Sequence, residues 1–213
     1  MHLYVKPPDG HVFVSAPETM SDAAIERFVR TKIAWIKRQI QKFDEQPRQS
    51  KREYVSGETH YFWGKRYYLQ VLHGNKNSVV LNGDTIQLTV RKESSAEQRG
   101  KVLNEWYRKE LKEEIKKVLP KWEEKTGIKA QDWKVKYMTT RWGSCNVKTG
   151  TIWLNLQLAK KTPECLEYII LHELIHLIEK NHTERFLSLM DFHMPMWREI
   201  KAKLNGQPLD FLE

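Results

Sequence analysis

A chain of 213 residues, 40% hydrophobic and 30% charged, can bury a real core as one large domain or two small ones. Two cysteines, Cys145 and Cys165, are no disulfide framework, and no apolar run approaches the ~18–20 residues of a membrane-spanning helix. The formal net charge of +9 keeps a nucleotide or nucleic-acid partner open. Yet acids and bases interleave in stretches such as 109–117, the pattern of a solvated helix face. Met1 to Lys6 lacks the pattern of a secretory signal, and the expectation is a cytoplasmic protein with no membrane contact.

The first elements read as a hairpin, Leu3-Tyr4-Val5 and Val12-Phe13-Val14, about the turn cluster Pro7-Pro8-Asp9-Gly10. Ser21 is placed to cap a helix running to Phe43, with Ile25, Phe28, Val29, Ile33, Ile36 and Ile40 at helical spacing. Gln46 to Glu53 is polar and reads as a linker. Strands follow at Tyr61-Phe62-Trp63, Tyr67 to Leu72, Val79-Val80-Leu81 and Ile86 to Val90, with Asn82-Gly83-Asp84 as a hairpin turn.

Ser95 and Gln98 form a capping-box pattern opening a helix that carries Val102, Leu103, Trp106, Leu111, Ile115 and Val118. Pro120 is expected to break or kink it, and Gly127 to end it. Trp35, Trp106 and Trp122 lie within helical patterns and are expected in the core. Trp133 to Tyr137 alternates as a strand, Arg141-Trp142-Gly143-Ser144-Cys145 turns, and Thr151 to Leu156 alternates again. Thr162-Pro163-Glu164 starts a helix expected to reach Glu179. Thr183 then caps a short helix to Met190, and a last one holds Trp197, Ile200 and Leu204. The class is α+β, with a strand-rich N-terminal region carrying one helix over 1–92 and a mostly helical region over 93–213, read together as one compact unit.

Chemistry concentrates in His172-Glu173-Leu174-Ile175-His176, an H-E-x-x-H sequence on a helix. Histidines four apart project from one face, so both can reach one ion at ~2.0–2.1 Å. Glu173 points beside them, where it can take a proton from a metal-bound water without being a ligand. The surrounding Ile169, Ile170, Leu171, Leu174, Ile175, Leu177 and Ile178 make these polar groups costly to bury without partners or a metal. Catalytic zinc sites commonly have three protein ligands and an open position. His182, six residues past His176, is the third candidate by the spacing of longer zinc-peptidase motifs, with Glu199, Asp191 and Glu179 behind it. His193 is a candidate to support a metal ligand from behind, though a lone histidine is more often at the surface.

Three segments together, Arg141 to Cys145, Ile152-Trp153-Leu154-Asn155 and the H-E-L-I-H helix ending in Asn181-His182-Thr183-Glu184-Arg185-Phe186, resemble the YgjP-like metallopeptidase family. More distantly, the chain is similar to the WLM and SprT/Spartan proteases. The resemblance is strongest over 135–204. It implies a zincin-like catalytic domain with an edge strand beside the active-site helix, for which Ile152 to Leu156 is the natural candidate. It also implies zinc on His172, His176 and His182 and a catalytic Glu173, and leaves the substrate open, with a peptide or protein as the first expectation. The Arg141 to Cys145 segment has two readings. Arg141 or the Gly143-Ser144 amides could serve a developing oxyanion, or the segment is a structural turn with Trp142 in the core. Cys145 as a metal ligand and Tyr137 are weaker candidates. Alternatives to a zinc peptidase are a metal-dependent nucleotide (phosphoanhydride) hydrolase and a nucleic-acid-binding module with a vestigial zinc site.

Overall fold

The computed structural model describes residues 1–6, 10–45 and 52–206. Pro7, Pro8 and Asp9 of the first turn, and 46–51 of the expected linker, lie outside them. The described residues fall into two compact units, 1–45 and 52–206.

In the first unit, β1 (His2–Lys6) pairs antiparallel with β2 (His11–Ser15), Leu3 facing Val14 and Val5 facing Val12. The single helix expected from Ser21 is two, α1 (Asp22–Thr31) and α2 (Ile33–Glu45). The Thr31 hydroxyl donates to Phe28 O at 2.7 Å, and Lys32 N–H turns back to Val29 O at 2.9 Å. That tightening ends the first ladder, and Lys32 O starts the second by accepting from Ile36 N at 2.8 Å. Ser21 sits at the N-cap with no side-chain cap bond. Trp35 is exposed rather than packed; Ile36 is the buried residue of that turn.

The second unit holds two sheets and four helices. Strands β3 (Thr59–Phe62), β4 (Lys65–His73), β5 (Ser78–Asn82) and β6 (Thr85–Val90) form a sheet in the order β3-β4-β6-β5. The β5–β6 hairpin closes on Gly83-Asp84, with Asn82 opposite Thr85, where the sequence places a turn. β4 and β6 run parallel. The β3–β4 loop is Trp63-Gly64, both at positive φ, and Trp63 N–H donates to Ala159 O at 2.9 Å. Gly64 also lies against Thr162, where a Cβ would collide.

Helix α3 (Ala96–Thr126) opens on the full Ser95/Gln98 capping box and ends on Gly127 in the left-handed conformation. It passes Pro120 without a break. Leu103, Tyr107, Leu111, Ile115, Val118 and Leu119 before the proline, and Trp122 after it, are buried. That burial outweighs the ~3 kcal/mol a helical proline costs. Its outer face carries the exposed pairs Lys101–Glu97, Lys116–Glu113 and Lys117–Glu114, the solvated pattern the charge interleaving implies.

The second sheet positions the site. Strands β7 (Asp132–Lys136), β8 (Gly143–Asn146) and β9 (Thr151–Asn155) run in the order β7-β9-β8. Two expectations change here. Gly143 to Cys145 belong to a strand, not a turn, antiparallel to β9. And β9, taken as the edge beside the active-site helix, is central; Leu156 already belongs to the 3-10 turn Leu156–Lys160. β9 is also covered on both faces: Thr151, Ile152, Leu154 and Asn155 are all buried. The edge next to the helix is β8.

Helix α4 (Pro163–His176) packs on this sheet and on α3, followed by α5 (Glu184–His193) and α6 (Trp197–Gly206). Pro163 and Glu164 occupy the first turn as expected, but Thr162 makes no cap bond; its hydroxyl lies 3.4 Å from Cys165 Sγ. Among the described residues, no helix is long and apolar enough to cross a membrane.

Candidate metal centre

Leu166, Ile169, Ile170, Leu171, Leu174 and Ile175 of α4 are all buried, so the helix is held on several sides and Glu173 is buried with them. His172 and His176, one turn apart, face the same way. The helix ends at His176, about three residues before the expected Glu179. There Leu177 and Ile178 N–H groups turn back to Leu174 and Ile175 carbonyls, both at 3.0 Å. That early stop lets the chain reverse so that His182 returns over the end of α4.

The three imidazoles converge. His172 Nε2 lies 3.1 Å from His176 Nε2 and 3.2 Å from His182 Nε2, and one donor atom of each lies within 4.8 Å of the others. A tetrahedral ion bound at ~2.0–2.1 Å needs ligand nitrogens ~3.3 Å apart, so the set fits zinc with little movement. His176 Nδ1–H donates to Glu179 O at 3.0 Å, leaving the Nε2 lone pair directed at the cluster. His172 Nδ1 is buried without a hydrogen-bond partner. Burial, reinforced by His176, His182 and Lys201, pushes the His172 pKa down to about 3. Burial also lowers His182, with His176 and Lys201 adding to it. Neutral imidazole is the form a metal needs.

Glu173 is buried at 4% exposure. Desolvation pushes its carboxyl up to about 8, against the pull of the Arg141 charge. Gly143 makes this position possible: a Cβ there would stand 2.5 Å from Glu173 Oε1 and 2.9 Å from Cδ. The carboxyl therefore lies against the bare backbone of β8. Its charge reaches Tyr168 and Cys145, whose hydroxyl and thiol are raised, chiefly by burial, to about 12 and about 11.

Asn155, buried at the end of β9, shapes the approach to β8. Its Nδ2 donates to Met138 O at 2.8 Å and to Arg141 O at 2.7 Å, and its Oδ1 accepts from Gln157 N at 3.1 Å. Sequence reasoning quoted Asn155 only as part of a motif; a polar residue closing an apolar strand was the available signal. For Gly143 the sequence suggests a tight bend or an amide donor to an oxyanion, whereas an interior strand glycine often marks close approach of another group. Trp142 packs against the core, as one of the two readings of its segment has it, with Lys161 Nζ 5.4 Å from its ring.

The other candidates lie apart. Among the described residues, the only group able to hold a metal is His172, His176 and His182, without Glu179, Asp191, Glu199 or Cys145. Asp191 accepts from Trp197 Nε1 at 2.7 Å and pairs with Arg198. His193 is buried rather than superficial, its carbonyl taken by Lys125 Nζ at 2.7 Å. Tyr137 is partly buried against the core.

The sequence profile described as "YgjP-like, metallopeptidase domain" matches residues 1–207. Among solved structures, the chain is similar to the metallopeptidase zymogen of Pyrococcus abyssi abylysin, with 21% identity, a TM-score of 0.40 and coverage of 42% of this chain and 90% of that one. It is also similar to the metallopeptidase zymogen of Methanocaldococcus jannaschii jannalysin, with 30% identity, a TM-score of 0.39 and coverage of 43% and 87%. No curated protein matches.

Proposed function

The chain belongs to the YgjP-like metallopeptidase family, and from that premise we propose that it is a zinc-dependent peptidase whose ion is held by His172, His176 and His182. The observation that carries the reading is the convergence of three imidazoles at ligand spacing beside a buried carboxyl. Zinc bound there supplies Lewis acidity to the scissile carbonyl and a more acidic water.

The rest of the mechanism belongs to the chain. Glu173, made more basic by burial and kept from solvent by β8, takes the proton of the attacking water and delivers it to the leaving amine nitrogen. Arg141, whose charge acts on Glu173, is assigned to favouring the carboxylate before it takes the proton and to the negative charge that then develops on the carbonyl oxygen. The β8 edge offers backbone groups to an extended peptide, which would add to the sheet as a further strand.

Elemental analysis of the purified chain, followed by a peptide panel, tests this. About one zinc per chain, lost in His182→Ala, together with peptide cleavage by the loaded protein, is expected. A zinc-loaded chain that cleaves no peptide would remove the peptidase, and a zinc content unchanged in His182→Ala would remove the ligand set.

A further inference from the structure

The three histidines are not held alike. Histidine ligands ordinarily have their second ring nitrogen fixed by a hydrogen bond, which sets the ring plane. Here His176 has such a bond, to Glu179 O, while His172 Nδ1 is buried with none. Something else must set the rings. One side chain touches all three. The Phe186 ring centroid lies 5.0 Å from that of His172, 4.7 Å from that of His176 and 4.7 Å from that of His182. Two of these contacts are edge-on, at 72° for His172 and 85° for His182, and His176 is tilted at 32°.

Phe186 is itself immobilised. It is 1% exposed in the first turn of α5, where its N–H is bonded to the Thr183 hydroxyl at the N-cap. Aromatic rings meeting at these separations favour edge-on and tilted geometry over other orientations. A fixed phenyl in contact with three imidazoles therefore restricts rotation of each ring about its Cβ–Cγ bond. On the far side of His172, Tyr168 closes the stack edge-on at 5.7 Å and 62°. Tyr168 is backed in turn by Trp197 at 6.2 Å and 6°.

We infer that Phe186 is a positioning residue for the metal centre, an apolar platform against all three imidazoles that sets the His172 plane, which no Nδ1 hydrogen bond fixes, and adds to the Glu179 bond in setting that of His176. The inference rests on the proposed zinc site and adds to it that metal affinity depends on a residue with no donor atom. Losing the ring frees the histidines to rotate, so the loaded state must order them at its own expense.

The test compares Phe186→Leu with Leu88→Ala, a truncation of a fully buried residue in the four-stranded sheet of the same unit, using chelator competition for zinc and the visible spectrum of the cobalt-substituted protein. Expected for Phe186→Leu is zinc affinity about 10–100-fold weaker with shifted cobalt bands, while Leu88→Ala melts earlier but keeps the parent affinity and spectrum. Parent-like affinity and bands in Phe186→Leu would overturn the platform, as would equal loss in both variants, which would report only a weakened fold. If Phe186→Leu does not fold, Phe186→Met, apolar and flexible without a ring, carries the same comparison. A parent chain that binds no zinc would instead remove the proposed metal site and the platform with it.

Discussion

Helices α3 and α4 pack against each other in one unit and use their polar residues in opposite ways. α3 buries 8 of its 31 residues and sets its charges in water, as pairs such as Lys116–Glu113 with more than half of each side chain exposed. α4 buries 9 of its 14 residues, and one of these is Glu173. A solvated pair three or four residues apart adds only ~0.2–0.5 kcal/mol. An ionised carboxyl in an apolar wall is so unfavourable that it raises its pKa instead. The exposed ion pairs on the outer face of α3 are therefore exchangeable, whereas a buried carboxyl such as Glu173 on α4 has a cost that only a role can offset. Substitutions around α4 should change chemistry with little change in stability, and those around α3 the reverse.

The largest effect expected is at Glu173. Glu173→Gln keeps the shape and removes the proposed proton carrier, so zinc content should hold while peptide turnover falls by about 10²–10⁴-fold, the range of general acid–base catalysis. Zinc titration and turnover on the same preparation decide it. Undiminished turnover in a fully loaded variant would mean that the base is elsewhere and that α4 buries a carboxyl for no chemical reason.

Gly143→Ala sharpens the contrast from the strand side. The added methyl would stand 2.5 Å from Glu173 Oε1, and the carboxyl must shift because the obstacle is backbone-borne. Misplacement by about 1 Å can lower turnover by ~10²-fold. Zinc stoichiometry should be unchanged, since the three atoms nearest that methyl all belong to Glu173. Loss of zinc along with turnover would show instead that β8 supports the whole centre.

What was legible in the sequence follows the reach of each interaction. The His172–His176 pair, the Ser95 capping box and the Gly83-Asp84 hairpin depend on residues within four positions, and all three have the expected geometry. Pairings that join distant segments were not legible: the parallel β4–β6 ladder, or β9 lying between β7 and β8. β8 escaped notice because Gly143-Ser144-Cys145 has little strand propensity and is held by register with β9. The Lys32 break escaped because apolar spacing continues through it, while the Thr31 hydroxyl that helps close the first helix is invisible to periodicity. Phe186 was readable as a core residue, but its position against three imidazoles depends on the chain reversal after His176.

A smaller effect is expected at His60, a buried polar residue on the α3 side of the contrast. Its ring is 3% exposed, 3.2 Å from Glu58 Oε2 and stacked on Tyr54. Burial, helped by the Arg52 and Lys160 charges and opposed by Glu58, pushes its pKa down to about 4. The unfolded chain takes up this proton near pH 6.5 and the folded one resists it. The stabilisation is therefore present above pH 6.5 and lost as the pH falls towards 4. The difference is on the order of 1–3 kcal/mol. Denaturant midpoints of the parent and His60→Gln should converge across that window on acidification; parallel curves would mean His60 does not resist its proton.

The smallest effect isolates the α3 side of the contrast. Ser95 Oγ accepts from Gln98 N at 3.2 Å while Gln98 Oε1 accepts from Ser95 N at 2.9 Å. Ser95→Ala removes one of the two bonds and leaves an end amide to water. The expected loss is about 1 kcal/mol, a fall of roughly 2–4 °C in Tm for a unit of this size. Ser95 lies at the opposite end of α3 from the buried Leu119 and Trp122, and no residue of the metal centre bonds to it. Zinc affinity and kcat/KM should therefore match the parent below the melting transition. Altered kcat/KM with the helix still folded would mean that α3 transmits its end geometry to α4 through their packed face. The division between a helix that stabilises and a helix that reacts would then not hold.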